Sequence, residues 1–278
     1  MIKLSLILLV VFADLTSGTV FPKWVERIIN GEESVNGSQP HQISLQYGYL
    51  GQYYHICGGS VIDQTIVLTA AHCVVWDMRG DYRVVVNEHV LYIDEGMEQY
   101  IPVTRIIPHY GYVGGLDREG QVYPNDIAIL MLADTIHDTS TVIKMADDPY
   151  DDFTGENCTI SGWGVTDAGG ISLTLQEVSM IVLSEDECNE YWGLYYTMFP
   201  GQICVFAGLD PVNGASACNG DSGGPLVCNG VLAGVTSWGL NGCRDYVTNE
   251  FWPSVYVRVS YYQDWIKIAK GRFSIGRG

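Results

Sequence analysis

Positive charge is scarce in this sequence. Its 278 residues include 14 lysines and arginines against 32 aspartates and glutamates, for a formal net charge of −18. Nucleic acids and anionic membrane surfaces attract basic proteins, because basic side chains neutralise their phosphate charges. The composition therefore disfavours a nucleic-acid partner and adsorption to anionic lipids. It suits a soluble protein whose copies repel one another, and we expect a monomer.

Long apolar runs are equally scarce after the amino terminus. Lys3 is followed by an apolar run over residues 4–12 and then by the small residues Ser17 and Gly18. This order is typical of a secretory signal peptide, and the run is too short to span a bilayer, which takes about 20 apolar residues. We therefore predict a signal peptide over residues 1–18 and a secreted, extracellular protein without a membrane anchor.

Paired Cys-x-x-Cys units are absent. The chain contains eight cysteines, an even number that is typical of disulfide bonding in an oxidising compartment. Eight cysteines allow on the order of a hundred pairings, and the sequence alone does not choose among them. A zinc site is the alternative interpretation, but structural zinc sites usually carry closely spaced cysteine pairs, so disulfides are preferred.

Residues 219–225 read Asn-Gly-Asp-Ser-Gly-Gly-Pro and are the most informative stretch. Glycines allow backbone N–H groups to approach a reacting carbonyl closely. A serine hydroxyl becomes an effective nucleophile when a base takes its proton and N–H donors hold the developing oxyanion. Ser222 is therefore a candidate nucleophile, with the N–H groups of Gly220 and Ser222 as oxyanion donors. A glycine-rich turn without catalytic function is the alternative.

Two upstream motifs supply candidates for the base and for the group that orients it. Residues 69–73 read Thr-Ala-Ala-His-Cys, and residues 125–130 read Asn-Asp-Ile-Ala-Ile-Leu. Together with Gly-Asp-Ser-Gly-Gly-Pro, and in this order, these motifs resemble those of the chymotrypsin-type serine peptidases. The resemblance extends over about residues 28–270 and therefore covers most of the chain.

The resemblance implies a role for each residue of a catalytic triad. His72 takes the proton of Ser222 and later gives it to the leaving amine, and Asp126 holds His72 in the productive tautomer. Ser237 is expected to bond to Asp126 as well. Alone, His72 would be interpreted as a core histidine and Asp126 as a turn carboxylate.

The resemblance also implies the fold. We expect an all-β chain of two packed six-stranded antiparallel β-barrels, at about residues 28–145 and 153–258, joined by an acidic linker over residues 147–152. Short β-prone runs suit the first barrel, and they lie at residues 42–46, 59–62, 65–69 and 83–86.

Two helices are expected in the second half of the chain. Ser184 and Glu187 predict a capping box for a short intermediate helix that ends near Trp192. A C-terminal helix is predicted over residues 261–270, followed by a tail at residues 271–278. The residues expected on its apolar face are Trp265, Ile266 and Ile268, and its polar residues are Lys267 and Lys270.

The family pattern selects one cysteine pairing. The four disulfides that it implies are Cys57–Cys73, Cys158–Cys228, Cys188–Cys204 and Cys218–Cys243. Asn36 begins an Asn-Gly-Ser glycosylation sequon, which suits a secreted protein. A second sequon at Asn157 has a bonded cysteine in its middle, which makes its use less favourable.

Residues 27–31 read Arg-Ile-Ile-Asn-Gly and resemble the activation junction of the family. Residues 19–27 are then a propeptide, and a cut after Arg27 frees the α-amino group of Ile28. In the family this ammonium pairs with the aspartate before the nucleophile, here Asp221, and a buried carboxylate requires such a partner. We expect a zymogen that is activated by a trypsin-like peptidase.

Residues 88–99 resemble the calcium loop of the trypsin group. Ca²⁺ prefers six to eight hard oxygen ligands, and a structural Ca²⁺ would relieve the repulsion among clustered acids. A solvated acidic loop is the alternative, and the chemistry itself needs no cofactor. The expected ligands are the carboxylates of Glu88 and Glu98, the carbonyls of Val90 and Ile93, and Glu95 through a water molecule.

The residues expected around the substrate favour an apolar side chain before the cut. Ser216 stands where trypsin-like enzymes carry an aspartate, and a buried lysine or arginine without a charge partner would cost several kcal/mol. Gly239 leaves the pocket entrance open, whereas Ser254 replaces a usual glycine and makes the pocket shallower. An insertion at residues 244–252 complicates this alignment, and a long loop at residues 109–124 is expected to overhang the cleft. The expected substrate-binding set is Ser216, Ser237, Trp238, Gly239 and Ser254.

The sequence therefore predicts a secreted serine endopeptidase that cleaves proteins or peptides after large apolar or aromatic residues. Protein inhibitors of proteases are further expected partners. One alternative is an elastase-like or restricted regulatory peptidase. Another is a non-catalytic homologue that acts as a binding cofactor, but such proteins usually lack a triad residue and none is missing here.

Overall fold

The computed structural model describes residues 31–166, 170–207, 215–240, 243 and 251–274, with the side chains of residues 272–274 excluded. The predicted signal peptide (residues 1–18), propeptide (19–27) and activation junction at Arg27 and Ile28 lie outside the described residues. So do most of the insertion, residues 244–250, and the last four residues of the tail. In the part that is described, no helix has the length and apolar character needed to cross a membrane.

The first half of the described chain folds into a closed barrel. After a two-residue strand β1 (Glu32–Glu33), six antiparallel strands follow in the spatial order β2-β3-β4-β7-β6-β5, and β5 pairs back onto β2. Their bounds are β2 Gln42–Tyr49, β3 Gln52–Asp63, β4 Ile66–Thr69, β5 Tyr82–Val86, β6 Gln99–Pro108 and β7 Ala128–Leu132.

Cross-strand pairs of apolar residues fix the register of this barrel. Ile43 lies opposite Val86, and Leu68 lies opposite Ile129. All four side chains are fully buried. β-Branched residues fit such a pleated, packed surface well, so the β-prone runs at residues 42–46, 59–62, 65–69 and 83–86 became β2 to β5.

The second half forms a second six-stranded antiparallel barrel. Its spatial order is β9-β10-β13-β12-β11-β8, and β8 pairs with β9 to close it. Strand β1 extends this sheet by pairing with β9. The fold class expected from the sequence is therefore confirmed. The bounds are β8 Asn157–Gly162, β9 Gln176–Leu183, β10 Gln202–Phe206, β11 Pro225–Cys228, β12 Val231–Trp238 and β13 Ser254–Arg258.

Two helices complete the described chain. Helix α1 (Glu185–Trp192) begins with the predicted capping box, in which Ser184 Oγ accepts a bond from the Glu187 N–H at 3.2 Å and Glu187 Oε2 accepts one from the Ser184 N–H at 2.8 Å. Helix α2 (Gln263–Ser274) begins two residues later than expected, because Val259–Tyr262 form a 3₁₀ turn.

The buried face of helix α2 differs from the expectation at one position. Tyr262, Ile266 and Ala269 are buried at the spacing of one helical stripe, and Trp265 packs partly against the core. Ile268 is 53% exposed, because it points away from that stripe. The apolar side chain of Ile268 therefore faces solvent and not the core.

All eight cysteines lie in the described chain, and all are paired. The four disulfides are those that the family pattern selects: Cys57–Cys73, Cys158–Cys228, Cys188–Cys204 and Cys218–Cys243. The first joins β3 to the turn after β4, and the last lies beside the turn that carries Ser222. Asn36 lies on the surface in a turn closed by the Ser38 N–H and the Val35 carbonyl.

Candidate active site

His72 is presented at the end of strand β4. The strand ends at Thr69, and a single 3₁₀ turn over Ala71–Cys73 follows it. The Cys57–Cys73 disulfide joins that turn to β3, which limits its movement. The imidazole is therefore held at the edge of the first barrel, where it faces the second.

Asp126 lies fully buried directly before strand β7. Its Oδ2 atom accepts bonds from His72 Nδ1 at 2.7 Å and from Ser237 Oγ at 2.7 Å, and its Oδ1 atom accepts one from the His72 N–H at 2.8 Å. A buried carboxylate is tolerated when its oxygens are satisfied in this way. Because an ionised carboxylate only accepts, the proton of His72 lies on Nδ1, and Nε2 carries the lone pair.

The charge of Asp126 sets the protonation behaviour of His72. Burial by itself lowers the pKa of His72, but the negative charge and hydrogen bond of Asp126 outweigh it, so the pKa stands above its ordinary value. An imidazole with a raised pKa is a stronger base toward a hydroxyl proton. The pair is therefore suited to general-base chemistry.

Ser222 lies in a tight turn that packs against the first barrel. Gly220 and Gly223 adopt φ angles of +102° and +77°, and a Cβ atom on Gly223 would overlap Thr69 Oγ1. The Gly58 N–H donates to the Ser222 carbonyl at 2.8 Å. Only glycine fits such a conformation at such a close approach. The structure therefore requires glycine at both positions that flank Asp221 and Ser222.

A cavity of about 500 Å³ between the barrels brings these residues together. His72 and Ser222 both line it, although within the described residues the Ser222 hydroxyl makes no hydrogen bond to His72. Catalytic hydrogen bonds often tighten only when substrate binds. The loop at residues 109–124 contributes Tyr123, whose ring lies 6.0 Å from that of His72. The other residues that line the cavity include Ser237, Trp238, Gly239 and Ser254.

His55 supports the Ser222 turn and was missed by the sequence analysis. Its Nε2 atom lies 3.1 Å from the Gly220 carbonyl, and its Nδ1 atom lies 2.9 Å from Ser44 Oγ. Burial lowers the pKa of His55 to about 4, so the ring is neutral and donates one hydrogen bond to Gly220. A single histidine in the middle of a strand carries no motif, and only the fold brings it to Gly220.

Asp221 is buried with two backbone donors. The Gly164 N–H donates to Oδ1 at 2.8 Å and the Cys218 N–H to Oδ2 at 2.9 Å. Burial raises the pKa of Asp221 to about 6 in spite of these bonds. A Cβ atom on Gly162 or Gly164 would overlap the carboxylate, so the pocket around Asp221 requires glycine at both positions.

Two buried serines meet beside the cavity, and of the two Ser254 lines it whereas Ser216 lies behind Ser254. Ser216 Oγ lies 3.1 Å from Ser254 Oγ and donates to the Ala217 carbonyl at 2.9 Å. Ser254 therefore contacts Ser216 directly. A Cβ atom on Gly239 would approach Ser254 no closer than 3.8 Å. The described part of this pocket presents hydroxyl groups and no carboxylate.

The acidic loop after strand β5 buries one carboxylate, that of Glu88, and holds another, that of Glu98, by backbone N–H groups. Glu98 accepts N–H bonds from Glu95, Gly96 and Met97 at 2.7 to 2.9 Å. Glu88 is buried, and its Oε2 atom has no hydrogen-bond partner in the part of the chain that the structure describes. Burial raises the pKa of Glu88 to about 7, and the charges of Glu98 and Glu95 add to the rise. An unpaired buried carboxylate oxygen among like charges fits a hard cation such as Ca²⁺.

Of the two expected carbonyl ligands, Val90 and Ile93, that of Val90 already accepts a hydrogen bond. The Val90 carbonyl accepts the Ile93 N–H at 3.2 Å, and the Val90 N–H donates to Glu95 Oε2 at 3.2 Å. A carbonyl oxygen has a second lone pair and can still bind a cation. These residues share one loop, but within the described residues the carboxylates of Glu88, Glu95 and Glu98 do not all lie within 4.8 Å of one another.

Comparison with known proteins agrees with this fold. The sequence model of the family described as Trypsin matches residues 28–266. The chain belongs to this family and is a serine endopeptidase, whose chemistry needs no cofactor and whose substrates are proteins.

Relatives come from two branches of the family. Trypsin-1 of Astacus astacus is 35% identical over 251 residues, which cover 86% of this chain and 98% of the relative. Trypsin-1 of Salmo salar is 34% identical over 269 residues, covering 96% and 97%. Chymotrypsin-like elastase family member 1 of Macaca fascicularis is 38% identical over 257 residues, covering 88% and 90%.

Proposed function

We propose that this serine endopeptidase hydrolyses peptide bonds through an acyl-enzyme formed on Ser222. His72 Nε2 takes the hydroxyl proton while Ser222 Oγ attacks the scissile carbonyl, and His72 then returns the proton to the leaving amine. Water repeats the two steps to release the acid. The observation that carries the proposal is the His72–Asp126 pair, which faces the cavity that Ser222 lines.

Asp126 and the glycine turn lower the barrier electrostatically. His72 becomes an imidazolium in the transition state, and the carboxylate of Asp126 stabilises that charge. The N–H groups of Gly220 and Ser222 are proposed to bind the oxyanion, and the bond from His55 to the Gly220 carbonyl holds the peptide that lies between these two donors. Donors that are held in place before the reaction cost no reorganisation during it.

The protein is proposed to be a secreted zymogen. The support comes from Asp221, because a fully buried carboxylate with a raised pKa lacks a counter-charge among the described residues. The ammonium of Ile28, freed by a trypsin-like peptidase after Arg27, would supply that charge. Pairing would fix the residue next to Ser222 and thereby order the oxyanion donors.

The substrate is proposed to carry a large apolar or aromatic side chain before the cut. The support is the pair Ser216 and Ser254, because the described residues at this end of the cavity offer hydroxyls and no carboxylate for a lysine or arginine. The open approach at Gly239 admits a bulky group. Because Ser254 shortens the pocket and one relative is an elastase, an elastase-like preference for smaller apolar residues is the second candidate.

Peptides that vary only in the residue before the cut test both parts of this proposal. After treatment with a trypsin-like peptidase, the protein should cleave after phenylalanine, tyrosine and leucine and should spare lysine and arginine. The R27Q variant should stay inactive under the same treatment, whereas the matched variant K23Q should activate normally. A preference for alanine would favour the elastase-like candidate, and activity of uncut R27Q would rule out the zymogen.

A structural Ca²⁺ is proposed in the acidic loop. Glu88, Glu95 and Glu98 would hold it with their carboxylates, together with the carbonyls of Val90 and Ile93. Its role would be to neutralise the acids of a loop that lies outside the substrate cavity. The residues of the active site would act without it.

Removing calcium should lower the melting temperature. At a calcium concentration about 100 times the Kd, binding stabilises the fold by about 2.7 kcal/mol, which corresponds to a shift on the order of 5 °C for a domain of this size. Scanning calorimetry with calcium and with a chelator measures it. The E88Q variant should lose the shift and the exposed control E156Q should keep it; equal melting temperatures for the wild-type protein in both buffers would refute the site.

A further inference from the structure

Asn125, the residue directly before Asp126, is held at both ends of its side chain. Its Nδ2 atom donates to the Gly111 carbonyl at 2.8 Å, and its Oδ1 atom accepts the Tyr262 hydroxyl at 3.0 Å. Its backbone has a φ of +58°, in the left-handed region that asparagine tolerates better than most residues. The side-chain bonds therefore hold a backbone conformation that determines where the next residue points.

Tyr262 is a fixed point for this contact. It is buried and ends the 3₁₀ turn that leads into helix α2. Its ring packs edge-on against His109, with centroids 5.4 Å apart. Ile266 and Ala269, one and two turns further along, are buried in the core and anchor the helix. The hydroxyl thus comes from a rigid element that is otherwise remote from the catalytic cavity.

We propose that Tyr262 is a positioning residue for catalysis, which acts through Asn125 on the direction of the Asp126 carboxylate. This inference rests on the proposed role of Asp126 in the triad. The carboxylate accepts three hydrogen bonds, two from His72 and one from Ser237, and its orientation determines whether all three form together. A displacement of about 1 Å at a catalytic group can cost about a hundredfold in rate. Loss of the hydrogen bonds that hold Asn125 should therefore lower kcat.

The titratable groups around Asp126 allow the pH profile to report on this pair. Burial, with the charge of Asp126 adding to it, raises the pKa of Tyr112 and of Tyr262, so both stay neutral where His72 titrates. Burial lowers the pKa of His109, which contacts Tyr262, whereas the pKa of His72 is raised. His109 therefore titrates at lower pH than His72. A weaker Asp126 contact must therefore move the acid limb of activity to lower pH, because less negative charge then supports the protonated His72.

Kinetics of the activated variants Y262F, N125G and their combination test the proposal. Glycine accepts a positive φ without strain, so N125G removes the side chain and leaves the backbone conformation accessible. Each single variant should lower kcat about tenfold, leave KM within about twofold, and move the acid limb of kcat/KM to lower pH. The double variant should lose no more than N125G alone, because one residue acts through the other. The control Y261F, in which the neighbouring exposed tyrosine changes, should match the wild-type protein.

Three outcomes would overturn the inference: a wild-type acid limb in N125G, a loss in Y262F without a shift of that limb, or losses that multiply in the double variant. If Y262F does not fold, N125G alone decides through its pH profile. The D126N variant, measured alongside, distinguishes a failure of this inference from a failure of the proposed triad. If D126N is inactive while Y262F and N125G match the wild type, this inference fails alone; if D126N retains full turnover, the proposed triad fails and this inference fails with it.

Discussion

Replacing Ser222 with alanine should lower turnover of the activated protein by about a millionfold and leave its fold intact. The hydroxyl is the proposed nucleophile, and alanine offers no atom to form the acyl-enzyme. The magnitude is that known for removal of the nucleophile in serine peptidases and is not calculated from this geometry. Single-turnover assays and far-ultraviolet circular dichroism measure the two parts of the prediction.

The control for this variant is S140A, because Ser140 is an exposed serine on the first barrel, away from the cavity. It should retain wild-type turnover and an unchanged melting temperature. Turnover of S222A within about tenfold of the wild-type value would show that another group attacks the substrate. The His72–Asp126 pair would then need a different role.

Replacing Asp126 with asparagine should lower kcat by about ten-thousandfold, a magnitude taken from well-characterised members of the family. The physical reason is visible here, because Asp126 accepts bonds at both oxygens, from His72 Nδ1 and Ser237 on one and from the His72 N–H on the other. An amide offers one oxygen and one NH₂ group. If the NH₂ group faces Nδ1, the imidazole must carry its proton on Nε2 and cannot accept the proton of Ser222.

The matched control is D134N, which changes an exposed aspartate whose Oδ1 atom accepts the Thr135 N–H. It should keep wild-type kinetics. Steady-state assays of D126N and D134N at several pH values give the comparison. A D126N enzyme that turns over at the wild-type rate would show that the carboxylate is not required to orient His72.

Local sequence predicted individual elements, and the family resemblance predicted how they assemble. The β-prone runs indicated strands β2 to β5, and the Ser184 capping box indicated helix α1, because capping depends on residues close in sequence. The pairing of strands joins residues far apart in the chain, such as Thr69 and Ala128, so the two barrels were expected only from the resemblance to the family, and the structure confirms that class. The expected burial of Ile268 was wrong, because the buried stripe consists of Tyr262, Ile266 and Ala269 and position 268 falls outside it.

The supports of the site depend on contacts between residues far apart in the chain. His55 reaches Gly220 from strand β3, Tyr262 reaches Asn125 from the start of helix α2, and Tyr123 approaches His72 from the loop before β7. None of these carries a local motif, and each matters only once both barrels are packed. The motifs therefore identify the residues proposed to do the chemistry, whereas the fold reveals the residues that hold them in place.

Labelling of the cleaved protein with a serine-directed phosphonate, followed by peptide mapping with mass spectrometry, tests the central claim most directly. The reagent reacts only with a serine whose proton is removed by a neighbouring base and whose attack is supported by oxyanion donors. We predict a single adduct, on Ser222, that forms after cleavage at Arg27 and is lost when His72 is replaced with alanine. The absence of an adduct on Ser222 in the cleaved protein, or equal labelling without His72, would contradict the account.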